Sequence, residues 1–281
     1  MLLWWSSAAA AGDDRAAVSL VLENDYFADS DDGYTGGMLV GIARAPRSAP
    51  RAARGAVRTG VALGLRVFTP RRLEAPVPAE TERAWAAWLF AGGAVSLERA
   101  RHRDTFGLSI GVVGPSAGGG ELQRSLHRRV GGAEPAGWAT QIEDTATVQL
   151  EWRRQAERVL RESARTRLSL RPRLRVALGN VFGHVQAGTT LALDGSTRRG
   201  GPWAFELGAD VRRVGHELFI EDRGRAPGAL RAEPWVGQVS LGASVRRGRA
   251  EIAYRRVVRG RAFAGQPEGD IYGSMRVSVS Y

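Results

Sequence analysis

A period-two alternation of apolar and polar side chains, repeated along most of the chain, restricts the fold more than any other feature. Near the end, Ile271, Gly273, Met275, Val277, Val279 and Tyr281 alternate with Asp270, Tyr272, Ser274, Arg276, Ser278 and Ser280. Leu168, Leu170, Pro172, Leu174, Val176 and Leu178 alternate with Arg167, Ser169, Arg171, Arg173 and Arg175. Shorter runs are Val148–Leu150–Trp152, Trp203–Phe205–Leu207–Ala209–Val211 and Val239–Leu241–Ala243–Val245. Such spacing sends successive side chains to opposite faces of a strand, one apolar and one polar. Further strand-like segments lie near 16–23, 34–44, 59–68, 85–99, 104–113, 184–193 and 250–258, about a dozen strands in all. The Gly- and Pro-rich stretches Ala45–Gly55, Asp194–Pro202 and Glu221–Pro234 supply turns.

Two architectures accommodate these strands. In a sandwich the apolar face is the core; in an outer-membrane barrel it faces lipid and the polar face lines the lumen. Alternation alone leaves both open. Arginines recurring on the polar face and an aromatic terminal residue, Tyr281, favour the barrel. No run approaches the roughly 18–20 apolar residues of a membrane-spanning helix. A membrane-embedded chain of this kind must therefore close its strands on themselves, so that every backbone group is paired. The expectation is an all-β fold: one antiparallel transmembrane barrel of about twelve strands, in the bacterial outer membrane. Residues 1–12 read as the remnant of a signal peptide, without a basic start, and residues 13–281 as one barrel domain.

Composition narrows the chemistry. There is no cysteine, which excludes disulfides and thiolate metal sites. Net charge is +11 and every basic residue is arginine. Codon bias accounts for an arginine-only chain; guanidinium forks also suit phosphate recognition. Nucleic acid is not an expected partner, because no zinc-finger spacing, basic heptad helix or RNA-binding aromatic signature is present.

One segment breaks the strand pattern. Glu121–Val130 places Leu122, Leu126 and Val130 at helical spacing, with Gln123 and His127 on the adjacent stripe. A short helix over about 120–131 is expected, packed on the barrel wall through its leucines with His127 at the edge. His127 has two readings, general base or structural histidine. A second cluster joins Asn24 and Asp25 to Asp29, Asp31 and Asp32, then to Tyr34-Thr35-Gly36-Gly37. These oxygens suit calcium; a solvated acidic turn would look the same. His102, His184 and His216 read as structural, the last two as opening strands. No Gly-x-Ser-x-Gly elbow, zinc helix or phosphate loop occurs.

Together the two clusters resemble the lipid A 3′-O-deacylase family. The resemblance rests on Asn24-Asp25, Tyr34-Thr35-Gly36-Gly37, Phe68-Thr69-Pro70 and the aromatic run Arg83–Leu89. Its most specific part is the block Ile110–Glu143, with a Gly-Val-Val-Gly-Pro turn, a Gln-x-x-x-His helix and a Trp-x-x-Gln-Ile-Glu segment. It implies calcium-dependent hydrolysis of the 3′-linked acyl (acyloxyacyl) ester of lipid A in the outer leaflet by a monomeric barrel among outer-membrane lipids. His127 is then the base, Asn24 orients it, and Asp25 and Thr35 bind Ca2+. Gln123, Tyr34 and Glu134 hold the lipopolysaccharide substrate. Two departures stand out: Ala133 occupies a position where some members carry Glu, with Glu134 next, and the family's active-site Lys has no counterpart. The alternatives are an outer-membrane phospholipase-like esterase and a non-catalytic barrel or pore.

Overall fold

The computed structural model describes residues 16–28, 36–44, 57–130, 134–197 and 201–281. Twelve antiparallel strands form a closed ring. In chain order they are β1 (Ala17–Asn24), β2 (Gly36–Arg44), β3 (Val57–Phe68), β4 (Ala86–Glu98), β5 (His102–Val113) and β6, whose two segments are Thr145–Ala156 and Arg158–Glu162. They continue as β7 (Thr166–Gly179), β8 (Phe182–Ser196), β9 (Pro202–Glu217), β10 (Trp235–Arg247), β11 (Ala250–Arg259) and β12 (Ile271–Ser280). Both segments of β6 pair with β7, and the register is unchanged across Glu157, Gln155 opposite Arg173 and Arg158 opposite Leu170, shifting by one residue only after Val159, so Glu157 interrupts a single strand. The ring closes where β1 pairs with β12, Ala17 opposite Ser280 and Asn24 opposite Gly273. Closure leaves no sheet edge to attract another chain.

The two faces resolve what alternation left open. Large apolar side chains point outward and stay exposed, among them Leu241 (63%), Val61 (62%) and Leu178 (61%). Polar ones point inward and are buried, including Ser96, Gln149 and Ser169 at 0%. A soluble sandwich would invert this, because water rewards polar surface and penalises apolar surface. Many inward groups pair with one another: Ser19 and Ser278 hydroxyls lie 2.8 Å apart, and the Gln149 side chain bridges to the Phe182 backbone at 2.9 and 3.1 Å. Arg173 pairs with Asp210, Arg175 with Glu151 at 2.8 Å, and Arg276 with Glu251. A one-residue slip of any strand would turn these charges to the outside.

The rims differ. Three connections at one rim are short: 99–101, 163–165 and 248–249. At the other, long excursions run over 69–85, 114–144, 218–234 and 260–270. Beneath this long-loop rim an apolar plug fills the lumen. A four-residue helix, α2 (Leu218–Glu221), which follows the twelve-residue α1 (Gly119–Val130) in the chain, drops Phe219 into it. Phe219 stacks on Phe68 at 4.0 Å and packs against Phe182 at 5.7 Å, while Trp88 sits 4.4 Å from Phe90. The Trp88 indole donates to Thr147 Oγ1 at 2.9 Å, so its one polar atom is satisfied. The expected turn at 45–55 and the signal-peptide segment 1–12 lie outside the described residues. His216 closes β9 rather than opening a strand; its ring nitrogens meet Glu221 (2.5 Å) and the Asn180 carbonyl (3.0 Å), a structural tie of the rim.

Candidate active site at the long-loop rim

Strand register brings the two sequence clusters to one sector of this rim. Asn24 ends β1 and pairs with Gly36, Gly36 with Val67, and Val67 with Ala87 at the start of β4. The end of β1 is thus three strands from Ala87, roughly 14 Å at ~4.8 Å per strand. The helix α1 starts on Ala87. A Cβ added to Gly119 would lie 2.2 Å from Ala87 Cβ, and one added to Gly120 would lie 2.9 Å from the Trp138 ring. Glycine is required at both positions because the helix end is pressed onto the wall. From there α1 contacts β4 and β3, on the side facing β1. His127 follows Gly119 by eight residues, about 12 Å along the axis at ~1.5 Å per residue. That length is comparable to the spacing between Ala87 and the end of β1.

The excursion that bears α1 is tied at both ends. Asp144 accepts from the Ser116 backbone N–H (2.9 Å) and hydroxyl (2.6 Å), and these donors hold its carboxyl below the ordinary carboxylate value. Gly114 N–H donates to the Ala87 carbonyl, and Ile142 N–H to the Trp85 carbonyl, both at 3.0 Å. Gln123 is buried, and its Oε1 accepts from Trp138 Nε1 at 2.9 Å; Trp138 in turn packs 5.2 Å from Trp85. Its Nε2 has no hydrogen-bond partner among the described residues. His127, one turn later, is half-buried.

The helix does not seat as its leucine stripe predicted. Leu122 and Leu126 are exposed, 46% and 50%, and the buried face is Gly119, Gly120 and Gln123. An apolar stripe specifies only an apolar neighbour, and outside a membrane barrel lipid serves as well as protein.

At the end of β1, Asp25 is buried (6% exposed) and its carbonyl accepts the Ala28 N–H at 2.8 Å, closing the turn Tyr26–Ala28. Tyr254 on β11 donates to the Phe27 carbonyl at 2.7 Å, pinning that turn to the wall. Gly36 is glycine because a Cβ there would stand 2.7 Å from the Glu23 carbonyl and 3.3 Å from Asn24 Nδ2. Among the described residues no group of three or more His, Asp or Glu side chains gathers as a metal site. The donors present are nonetheless oxygens, the kind calcium takes, and a nearly buried carboxylate such as Asp25 suits a hard cation. Tyr34 and Thr35 lie outside the described residues. Glu134 is exposed on the return from α1. The sequence reading missed the part played by the distant 218–234 excursion. There Arg223 donates to the carbonyls of Ala79 (3.0 Å), Glu82 and Pro227 (2.8 Å), bracing the loop behind Trp85. No local motif marks it.

A closed twelve-stranded barrel with lipid-facing apolar residues, long loops at one rim and a helix laid over that rim defines an integral outer-membrane protein. The chain belongs to the outer membrane protein LpxR family, whose model matches residues 1–281, and this is the lipid A 3′-O-deacylase family that its motifs resemble. Among solved structures, LpxR from Salmonella typhimurium superposes with a TM-score of 0.83 at 18% identity, covering 94% of this chain and 99% of that one. The β domain of the Bordetella autotransporter BrkA superposes with a TM-score of 0.53 at 10% identity, covering 96% and 99%. At these identities both show the fold. Comparison with curated protein sequences gave no match.

Proposed function

We propose that the protein hydrolyses the 3′-linked acyl (acyloxyacyl) ester of lipid A, with His127 as general base and Ca2+ as cofactor. The observation that carries this reading is the seating of α1 on Ala87, in contact with β4 and β3, which puts the helix bearing the motif histidine at the same rim as the end of β1. Family membership supports it at the level of a lipid A deacylase. Bacterial barrels keep short turns inside and long loops outside, so the site faces the leaflet where lipid A resides.

In this reading His127 accepts the proton of a water molecule as its oxygen bonds to the ester carbonyl carbon. The C–O bond then breaks as the imidazolium returns that proton to the departing sugar oxygen, releasing the fatty acid and leaving the sugar hydroxyl. Asn24 orients the imidazole. Gln123 holds the helix in register through Trp138, and its unpartnered amide nitrogen is a donor for a substrate oxygen. Tyr34 and Glu134 border the substrate. Asp25 and Thr35 hold calcium, which when bound supplies positive charge for the developing oxyanion. The pore alternative meets the aromatic plug beneath this rim. The phospholipase alternative calls for an activated serine, and Ser116, the serine beside the helix, is bonded to Asp144.

The test is mass spectrometry of lipid A incubated with the protein in non-ionic micelles. Wild type removes the 3′ acyl mass, His127→Ala leaves it in place, and a chelator stops the reaction until calcium is restored. Intact lipid A after incubation with the folded wild type plus calcium would refute the assignment.

A further inference from the structure

The lumen between the aromatic plug and the short-turn rim holds a cavity of about 650 Å³, a volume typical of small-molecule sites. Its floor includes Val257 and Tyr272, which also belong to the plug, and its mouth includes the turn residues Arg99–Arg101. It therefore opens at the end opposite the candidate active site. Ten arginines line it against six carboxylates. The carboxylates are shared: Glu206 serves Arg171 and Arg255, and Glu251 serves Arg246 and Arg276.

Arg153 is left over. It is 7% exposed, lines the cavity, and its Nε has no hydrogen-bond partner among the described residues. In the sheet it stands opposite Arg175, whose own partner is Glu151 at 2.8 Å, and opposite Thr105 on the other side. Two guanidinium side chains facing each other across adjacent strands repel. Glu151, two residues back on the same face, is the opposite charge near it, and that carboxylate is already hydrogen-bonded to Arg175; a buried cation without its hydrogen bonds costs more than an exposed one. Such an arrangement is stable when something in the cavity carries the missing negative charge.

We infer that the lumen is a binding site for a phosphate-bearing anion, entering from the short-turn rim and held by the Arg153 guanidinium. A guanidinium fork meets two oxygens of a phosphate at once, and the excess of arginine over carboxylate supplies the surrounding field. The site is separate from ester hydrolysis and independent of that reading.

The test uses the full chain folded in octyl glucoside, with inorganic phosphate titrated by calorimetry against chloride at equal ionic strength. Wild type binds one phosphate saturably, and Arg153→Gln, verified as folded by its heat-sensitive gel mobility, binds about tenfold or more weakly, as loss of a charged hydrogen bond implies. Arg153→Lys, which keeps the charge and loses the fork, falls between. A measurement needing no variant is phenylglyoxal labelling of wild type mapped by peptide mass: phosphate protects Arg153. A glycerol 3-phosphate arm distinguishes sources, tighter binding indicating a lipid headgroup and equal binding free phosphate. Absence of saturable binding, full binding by folded Arg153→Gln, or labelling of Arg153 that phosphate leaves unchanged would each overturn the inference.

Discussion

Gly119→Ala should disable the active site while leaving the barrel intact. The new methyl would stand 2.2 Å from Ala87 Cβ and 3.2 Å from the Trp138 ring edge. Carbon atoms rest ~3.5–4.0 Å apart, so the start of α1 must rise by about 1.5 Å. Neither neighbour yields easily: Ala87 is a fully buried part of the sheet, and Trp138 is held between Gln123 and Trp85. Ala favours a helix interior over Gly by roughly 1 kcal/mol, which acts in the opposite sense and is too small to pull the methyl into the wall. A misplacement of ~1 Å at reacting groups costs on the order of a hundredfold, and His127 rides on this helix. The expectation is a hundredfold lower initial rate of acyl release from lipid A, with unchanged heat-modifiable gel mobility. Gly237, with nothing within 4 Å of an added Cβ, is the control, and Gly237→Ala should behave as wild type. Gly119→Ala hydrolysing within about twofold of wild type would show that α1 does not set the position of the base.

Two further expectations concern the same excursion. Trp138→Phe removes the donor to Gln123 Oε1 and strands a buried amide oxygen at ~1–3 kcal/mol; acyl release should fall about tenfold with barrel unfolding in urea unchanged, and an unaltered rate would count against Gln123 as the positioning residue. Asp144 lies below its ordinary pKa of 3.8 because Ser116 donates to it twice. A lowered carboxylate contributes stability in full above that ordinary value and loses it as pH falls through the lowered one, so pepsin should cleave the 114–144 excursion increasingly as pH drops below 3.8, and Asp144→Asn should be cleaved with no such pH dependence.

The barrel was legible in the sequence because strand periodicity is a local property. All twelve strands contain or overlap the expected segments, although the strands holding 148–152 and 203–211 run on to 162 and 217, and the helix at 119–130 coincides with the expected 120–131. Alternation fixes which side chains share a face. It cannot say which face meets water, and the inward ion pairs of the β7 arginines and the exposed Val239, Leu241 and Val245 of β10 settle that only once the ring is closed. Leu122 and Leu126 pose the same ambiguity on a smaller scale, and there the sequence pattern pointed to the wrong neighbour.

Sequence alone therefore determined the strands, the helix, and the residue types at Asn24, Asp25, Gln123 and His127, all matters of spacing along one chain. Tertiary structure decided what lies beside what. The placing of the helix on β4, three strands from β1, the plug built from Phe68, Phe182 and Phe219, and the buried Arg153 opposite Arg175 all depend on inter-strand register. Register is set by the closing of the whole sheet, a collective choice among strands that no segment carries by itself.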